Sequence, residues 1–168
     1  MASEKANKFI LIMRHAKSDP AMGAQNDFHR TLSLHGKNQP RKIANNLRAM
    51  DLKIDMALVS PAKRTAETFD LLRENLDPEI ECVFDDQLYN ASSTDMLAVL
   101  RRYCANRDCI LVVAHCPAVI EVTKFLSNEL HNFKAADLAI LKTTAKDLCS
   151  GLSKGGEFSL TTVFSADE

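Results

Sequence analysis

Five large apolar residues, Phe9 to Met13, run without interruption into Arg14 and His15, and the stretch closes with Ala16, Lys17 and Ser18. A continuous apolar run followed by small and polar residues predicts a strand buried on both faces of a parallel sheet. A second such run appears only at Ile110 to Ala114. Arg14 and His15 then sit at the C-terminal end of the first strand, on the edge where open α/β sheets bind their ligands. A permanently charged guanidinium beside an imidazole that can act as nucleophile or base suits phosphate chemistry. A lone histidine at a strand end is more often a hydrogen-bonded structural residue, so the rest of the chain has to decide.

That remainder alternates between helical and extended patterns. Asp19 to Arg30, with Pro20 and Gly23, has no period and is expected to form a loop at the mouth of the site. Helical spacing runs through Ser33–Met50, with Ile43, Leu47 and Met50 on one face. Pro40 leaves two readings: a helix starting near Gln39 with the proline in its first turn, or one starting at Ser33 and kinked at Pro40. Asp55–Val59 reads as a strand. Ser60 and Pro61 then read as N-cap and first helical residue of a helix reaching about Leu76, with Ala62, Ala66, Phe69, Leu72 and Leu76 inward. Asp77-Pro78 stops it.

Ile80–Phe84 reads as a strand, and Ser92 with Asp95 as a capping box opening a helix to about Asn106. Cys109–Ala114 is the second buried strand, with Pro117 in the first turn of a helix reaching Leu130. Strands at Leu138–Thr143 and Phe158–Phe164 flank a turn-rich link containing Gly151, Gly155 and Gly156. The alternation predicts an α/β fold with a parallel-dominated sheet and helices on both faces, the last strands being open to antiparallel pairing. A chain of 168 residues supports one full core, so we expect a single domain over 1–168 with a polar tail at 1–7.

With a net charge of −1 and no long basic run, neither nucleic acid nor an anionic membrane is expected as a partner. Residues 1–8 lack the apolar core of a secretory signal, and no apolar run approaches the roughly 20 residues that span a bilayer, so a cytoplasmic location is expected. The five cysteines, at 82, 104, 109, 116 and 149, are odd in number and form no C-x-x-C pair. They are expected to be reduced and mostly buried, with no disulfide framework and no metal site. Cys116 is the exception to watch, because a thiol at a helix start can have a lowered pKa.

Three strand ends carry unusual residues: Arg14-His15, Ser60-Pro61-Ala62-Lys63-Arg64 and His115-Cys116-Pro117. If the strands are parallel neighbours, all three share one edge of the sheet. Arg64 in a first helical turn opposes the macrodipole at a cost of about a few tenths of a kcal/mol, so an anion is expected beside it, unless it is solvated or paired with Glu67. His115 lies at a helix N-terminus, where free N–H groups attract anions. Two arginines, two histidines and a helix N-terminus make an anion-binding cluster with a nucleophile inside it.

The runs LIMRHAKSD, HRTLSLHG, VSPAKRTAET, DDQLYNAS and VVAHCP, in this order, resemble the histidine phosphatase (phosphoglycerate mutase-like) superfamily. Their spacing is most similar to its short branch, the SixA-like phosphohistidine phosphatases. The resemblance implies a three-layer αβα sandwich around a mostly parallel sheet of about six strands. It also implies a two-step phosphoryl transfer without metal or cofactor. On these positions, His15 would be the nucleophile that becomes phosphorylated, Arg14 and Arg64 would clamp the phosphoryl oxygens, and His115 would stabilise their charge. The implied partner is a phosphorylated protein, phosphohistidine foremost, or a small phosphomonoester.

The sequence departs from the pattern at Ala16, where the wider superfamily has Gly, and at Phe133–Ala136, where a Thr usually stands near the phosphate. No clear counterpart of the leaving-group acid is present, since Leu88-Tyr89-Asn90 occupies its place. Asp19 and Asp86 are the candidates to replace it. Three other readings remain. A small-molecule phosphomonoesterase or mutase is disfavoured by the short Asp85–Ser92 segment, which leaves little chain for a lid. A phosphotransfer module would carry its histidine on a helix. A catalytically weak phosphate-binding scaffold would keep the pocket without turnover.

Overall fold

The computed structural model describes residues 7–20 and 26–167. Most of the expected polar tail, residues 1–6, and residues 21–25 of the mouth loop lie outside that range. The two apolar runs become the centre of the sheet. β1 (Lys8–Arg14) pairs in parallel with β4 (Cys109–Ala114), and every residue of β4 is buried. β2 (Met56–Val59) and β3 (Glu81–Phe84) extend the parallel part on one side. On the other side β5 (Leu138–Thr143) is antiparallel to β1, and β6 (Ser159–Phe164) is antiparallel to β5. The order across the six-stranded sheet is β3-β2-β4-β1-β5-β6.

Because side chains alternate along a strand, the two faces collect different residues. Ile10, Ile12, Ile110 and Val112 join one core cluster with Met96, Leu100, Val119 and Val122 of helices α3 (Ser93–Tyr103) and α4 (Ala118–Ser127). Leu11, Met13, Leu111 and Val113 join the other with Ile43, Leu47, Phe69 and Leu72 of α1 (Leu34–Arg48) and α2 (Lys63–Glu74). The result is the expected three-layer αβα arrangement.

The register fixes where the strands end. Arg14 lies opposite Ala114 and Val59 opposite Val113. The ladder continues one step further, through His15 N–H to the Ala114 carbonyl and Ser60 N–H to the Val113 carbonyl, both at 3.1 Å. All three motifs therefore emerge on one edge.

α1 takes the earlier of its two expected starts: Ser33 is its N-cap, accepting from the Gly36 N–H at 3.0 Å, and Pro40 lies inside the helix. Other local expectations need correction. Ser60 does not cap α2, which begins at Lys63 with Ala62 in the cap position and no side-chain cap bond; the Ser60 hydroxyl is used elsewhere. α4 stops at Ser127, short of Leu130, because Asn128 turns left-handed at φ 61°. The glycine-rich link holds a four-residue helix, α5 (Leu148–Gly151), capped by Asp147 and too short to show a period.

The cysteines are not all reduced, since Cys104 and Cys149 form a disulfide. Cys104 is the C-cap of α3 and Cys149 sits in α5, and the two Cα atoms are 5.3 Å apart despite 45 residues of separation. That proximity is made by tertiary packing and has no signature in spacing. Cys82, Cys109 and Cys116 remain free.

Candidate active site

The β1 strand delivers Arg14 and His15 to the sheet edge, and the residues that follow are held by buried polar groups. Ala16 N–H donates to Thr68 Oγ1 of α2 at 2.9 Å, and Lys17 N–H donates to Gln39 Oε1 of α1 at 2.8 Å. Gln39 is oriented in turn by donating from Nε2 to Asp167 Oδ2 at 2.9 Å. Gly36 allows α1 to touch this segment, because a Cβ there would stand 1.9 Å from the Lys17 carbonyl oxygen.

His15 Nδ1 lies 2.7 Å from the Ala16 carbonyl, which can only accept, so Nδ1 carries the proton and Nε2 presents its lone pair. Burial, followed by the charges of Arg64, Arg14 and Arg30, lowers the His15 pKa to about 4. At neutral pH the ring is uncharged.

His115 faces it, with ring centroids 5.4 Å apart. Its Nε2 is 2.8 Å from Ser60 Oγ, and burial with the nearby Arg64 and His15 lowers its pKa to about 3. Ser60 Oγ also receives the Ala62 N–H at 3.4 Å. With that lone pair engaged, the hydroxyl is free to donate to Nε2, which would put the ring proton on Nδ1. Nδ1 is buried and makes no hydrogen bond to a described residue, and the same holds for Nε of Arg14 and of Arg64. Three buried nitrogens are thus unpartnered among the described residues, at a cost that a bound oxyanion would relieve.

Arg14 is steadied by donating from Nη1 to the Phe133 carbonyl at 2.8 Å, and the Ala136 N–H donates to the His15 carbonyl at 3.0 Å. The segment in which a threonine was missed therefore serves the site through its backbone. Arg64, only 7% exposed, commits both terminal nitrogens to one residue: Nη1 donates to the Asp27 carbonyl at 2.8 Å and Nη2 to Asp27 Oδ2 at 3.1 Å. Asp27 is the anion expected to offset Arg64's place in a first helical turn, and Glu67 is not.

Asp27 belongs to a single 3₁₀ turn, Asp27–His29, in the mouth segment. Tyr89 donates its hydroxyl to Asp27 Oδ2 at 2.7 Å and Arg30 Nη1 reaches Oδ1 at 3.2 Å. Tyr89 first, with the two arginines, lowers the Asp27 pKa to about 2. Tyr89 also stands edge-on to His115, with centroids 5.8 Å apart.

The structure brings His15, Arg14, Arg64 and His115 together. Asp19 and Asp86 are both exposed, and neither carboxylate bonds to a described residue. The Cys116 thiol is pushed up by burial, contrary to the lowered value its helix-start position suggested. Asp27, Tyr89 and Ser60 are the pocket residues that sequence reasoning missed. Asp27 contacts partners 37 and 62 positions away, and nothing in an aperiodic loop marks such a residue.

Comparison with known proteins gives a consistent picture. The model of the Histidine phosphatase superfamily (branch 1) matches residues 10–96, which include His15, Arg14 and Arg64. Phosphohistidine phosphatase SixA of Escherichia coli (strain K12) is 27% identical over 112 residues, covering 66% of this chain and 68% of that protein. A solved structure of the protein histidine phosphatase SixA complexed with tungstate superposes with a TM-score of 0.80 at 22% identity, covering 94% of this chain and 97% of that one. A mycobacterial glucosyl-3-phosphoglycerate phosphatase shares the fold at a TM-score of 0.67 and 14% identity, covering 94% of this chain and 98% of that one.

Proposed function

For a chain that belongs to the histidine phosphatase superfamily, branch 1, we propose a metal-independent phosphatase that works through a phosphorylated His15 and acts on phosphohistidine in a protein. The observation that carries this reading is His15 itself. It is uncharged at neutral pH, with Nδ1 tied to the Ala16 carbonyl and Nε2 free, between two arginines and a second histidine.

In the first half-reaction Nε2 attacks phosphorus, the new P–N bond forms, and the bond to the leaving group breaks. In the second, water attacks phosphorus, the P–Nε2 bond breaks, and inorganic phosphate leaves with the water's proton passed to solvent or to phosphate. Arg14, Arg64 and the Nδ1–H of His115 hold the three equatorial oxygens, where charge stabilisation and positioning do most of the catalysis.

Two features favour phosphohistidine over a phosphate ester. The carboxylate nearest the clamp, Asp27, is held ionised with a pKa of about 2 and has no proton to give. A serine alkoxide needs such a proton, a contribution of about 10²–10⁴ in rate, whereas a protonated phosphoimidazole leaves as neutral imidazole. Tyr89, which meets Asp27 and His115, lies in a short segment. The segment 85–92 holds one 3₁₀ turn, Asp86–Leu88, and no helical lid, which leaves room for a protein surface. The curated relative named phosphohistidine phosphatase SixA is in line with this. Among the described residues no helix is long and apolar enough to cross a membrane.

The test is hydrolysis of phosphohistidine and phosphoserine peptides of matched sequence. We expect the phosphohistidine peptide to be faster by at least about 10²-fold, the low end of what an acid would supply. Equal rates would contradict the substrate assignment.

A further inference from the structure

Asp27 holds both terminal nitrogens of Arg64, so a phosphoryl group can take that end of the guanidinium fork only by displacing it. From this geometry we infer that Asp27 is a resident competitor for the phosphate clamp: its carboxylate yields Arg64 to the incoming phosphoryl group and returns as inorganic phosphate leaves. The inference rests on the reading of Arg64 as a phosphate ligand.

Three observations support it. The pair is selective in its geometry, one fork meeting one carboxylate oxygen and one carbonyl of the same residue, which resembles the two-point grip that Arg offers a phosphate. The two partners are unequally fixed: Arg64 is 8% exposed in its side chain and emerges from the first turn of α2, whereas Asp27 is half exposed and rides on a three-residue turn. When the pair opens, Asp27 is the member free to move. The carboxylate also has somewhere to stay, since Arg30 bonds its other oxygen and Tyr89 its Oδ2. The charge at neutral pH is secure for the same reason.

An internal anion of this kind lowers phosphate affinity, since the ligand must replace an existing charge-assisted pair. For a phosphatase that is useful, because its product is the ligand the clamp fits best. Phosphate bound to two arginines and a histidine would otherwise leave slowly, and a carboxylate waiting at Arg64 gives the guanidinium a partner as the product departs.

The experiment measures inorganic phosphate binding by calorimetry, with product inhibition of turnover as a second readout. Wild type is compared with D27N, which keeps the shape and the backbone contact, and with D27A. D19N and D86N each remove an exposed carboxylate that bonds to no described residue and control for net charge. We expect D27N and D27A to bind phosphate at least tenfold more tightly and to show correspondingly stronger product inhibition, with D19N and D86N within twofold of wild type. Unchanged or weaker binding in both Asp27 variants would overturn the inference, making Asp27 a support for Arg64. Equal tightening in D19N or D86N would overturn it too, since general charge would then suffice. Phosphate binding requires no turnover, so a failure of the phosphohistidine reading is seen separately, in the peptide comparison.

Discussion

Gly36→Ala tests whether the helix that follows the mouth segment sets the position of His15, the proposed nucleophile. The added Cβ would lie 1.9 Å from the Lys17 carbonyl oxygen and 2.9 Å from its carbon, and contacts under 3.0 Å are essentially never seen. The two backbones must therefore separate by about 1.1 Å at least. Neither side is free to give way cheaply. The Lys17 carbonyl accepts from Ser33 N–H at 2.9 Å, its N–H is held by Gln39, and the Ala16 N–H is held by Thr68. The displacement is passed to His15, two residues back. A misplacement of about 1 Å at a reacting group costs on the order of 10²-fold, and overpacking of a close contact costs typically about 1–3 kcal/mol of stability. We expect kcat/KM on an aryl phosphate to fall about 10²-fold while urea unfolding shows a native fold weakened within that range. An activity within twofold of wild type would refute the reasoning, because it would mean that the Lys17 segment can move without His15.

Arg64→Lys should lower kcat/KM by at least about tenfold, matching the roughly 1.5–3 kcal/mol of a charge-assisted hydrogen bond that a point charge cannot replace; steady-state kinetics decides it. His15 and His115, held by burial to about 4 and about 3, take up protons near 6.5 once unfolded, so the unfolded state binds more protons below that pH. Their contribution is fully present above pH 6.5 and is lost as pH falls toward 4, amounting to about 3 kcal/mol for His15. Imidazole NMR should show both rings uncharged at pH 5, and a midpoint near 6.5 for either would contradict the account. Reduction of the Cys104–Cys149 bond, which closes a 45-residue separation, should cost up to about 4 kcal/mol in urea unfolding on the chain-entropy view; no change would mean that the unfolded chain is already restricted there.

Which parts of this arrangement could be read from the sequence follows from how local their causes are. The buried strands were legible because Phe9–Met13 and Ile110–Ala114 are apolar without interruption, and that pattern has few other uses. The capping box at Ser92 and Asp95 was legible because both partners lie within one turn. The convergence of Arg14, His15, Arg64 and His115 was legible because parallel strands place their C-terminal ends together. Ser60 was misread as a cap because a serine before a proline satisfies that pattern equally well, and only tertiary structure brings His115 to its hydroxyl. Asp27, Tyr89 and the Cys104–Cys149 bond were not legible at all. Each depends on a contact across tens of residues that no local pattern in either segment signals.

The central claim is that His15 Nε2 forms a bond to phosphorus. The most direct measurement is rapid-quench trapping under conditions that preserve acid-labile phosphohistidine, followed by peptide mapping of the phosphorylated protein. The account predicts one phosphate on the peptide containing His15, formed within a single turnover and absent in His15→Ala. A phosphate on any other residue, or turnover that persists in His15→Ala, would contradict it.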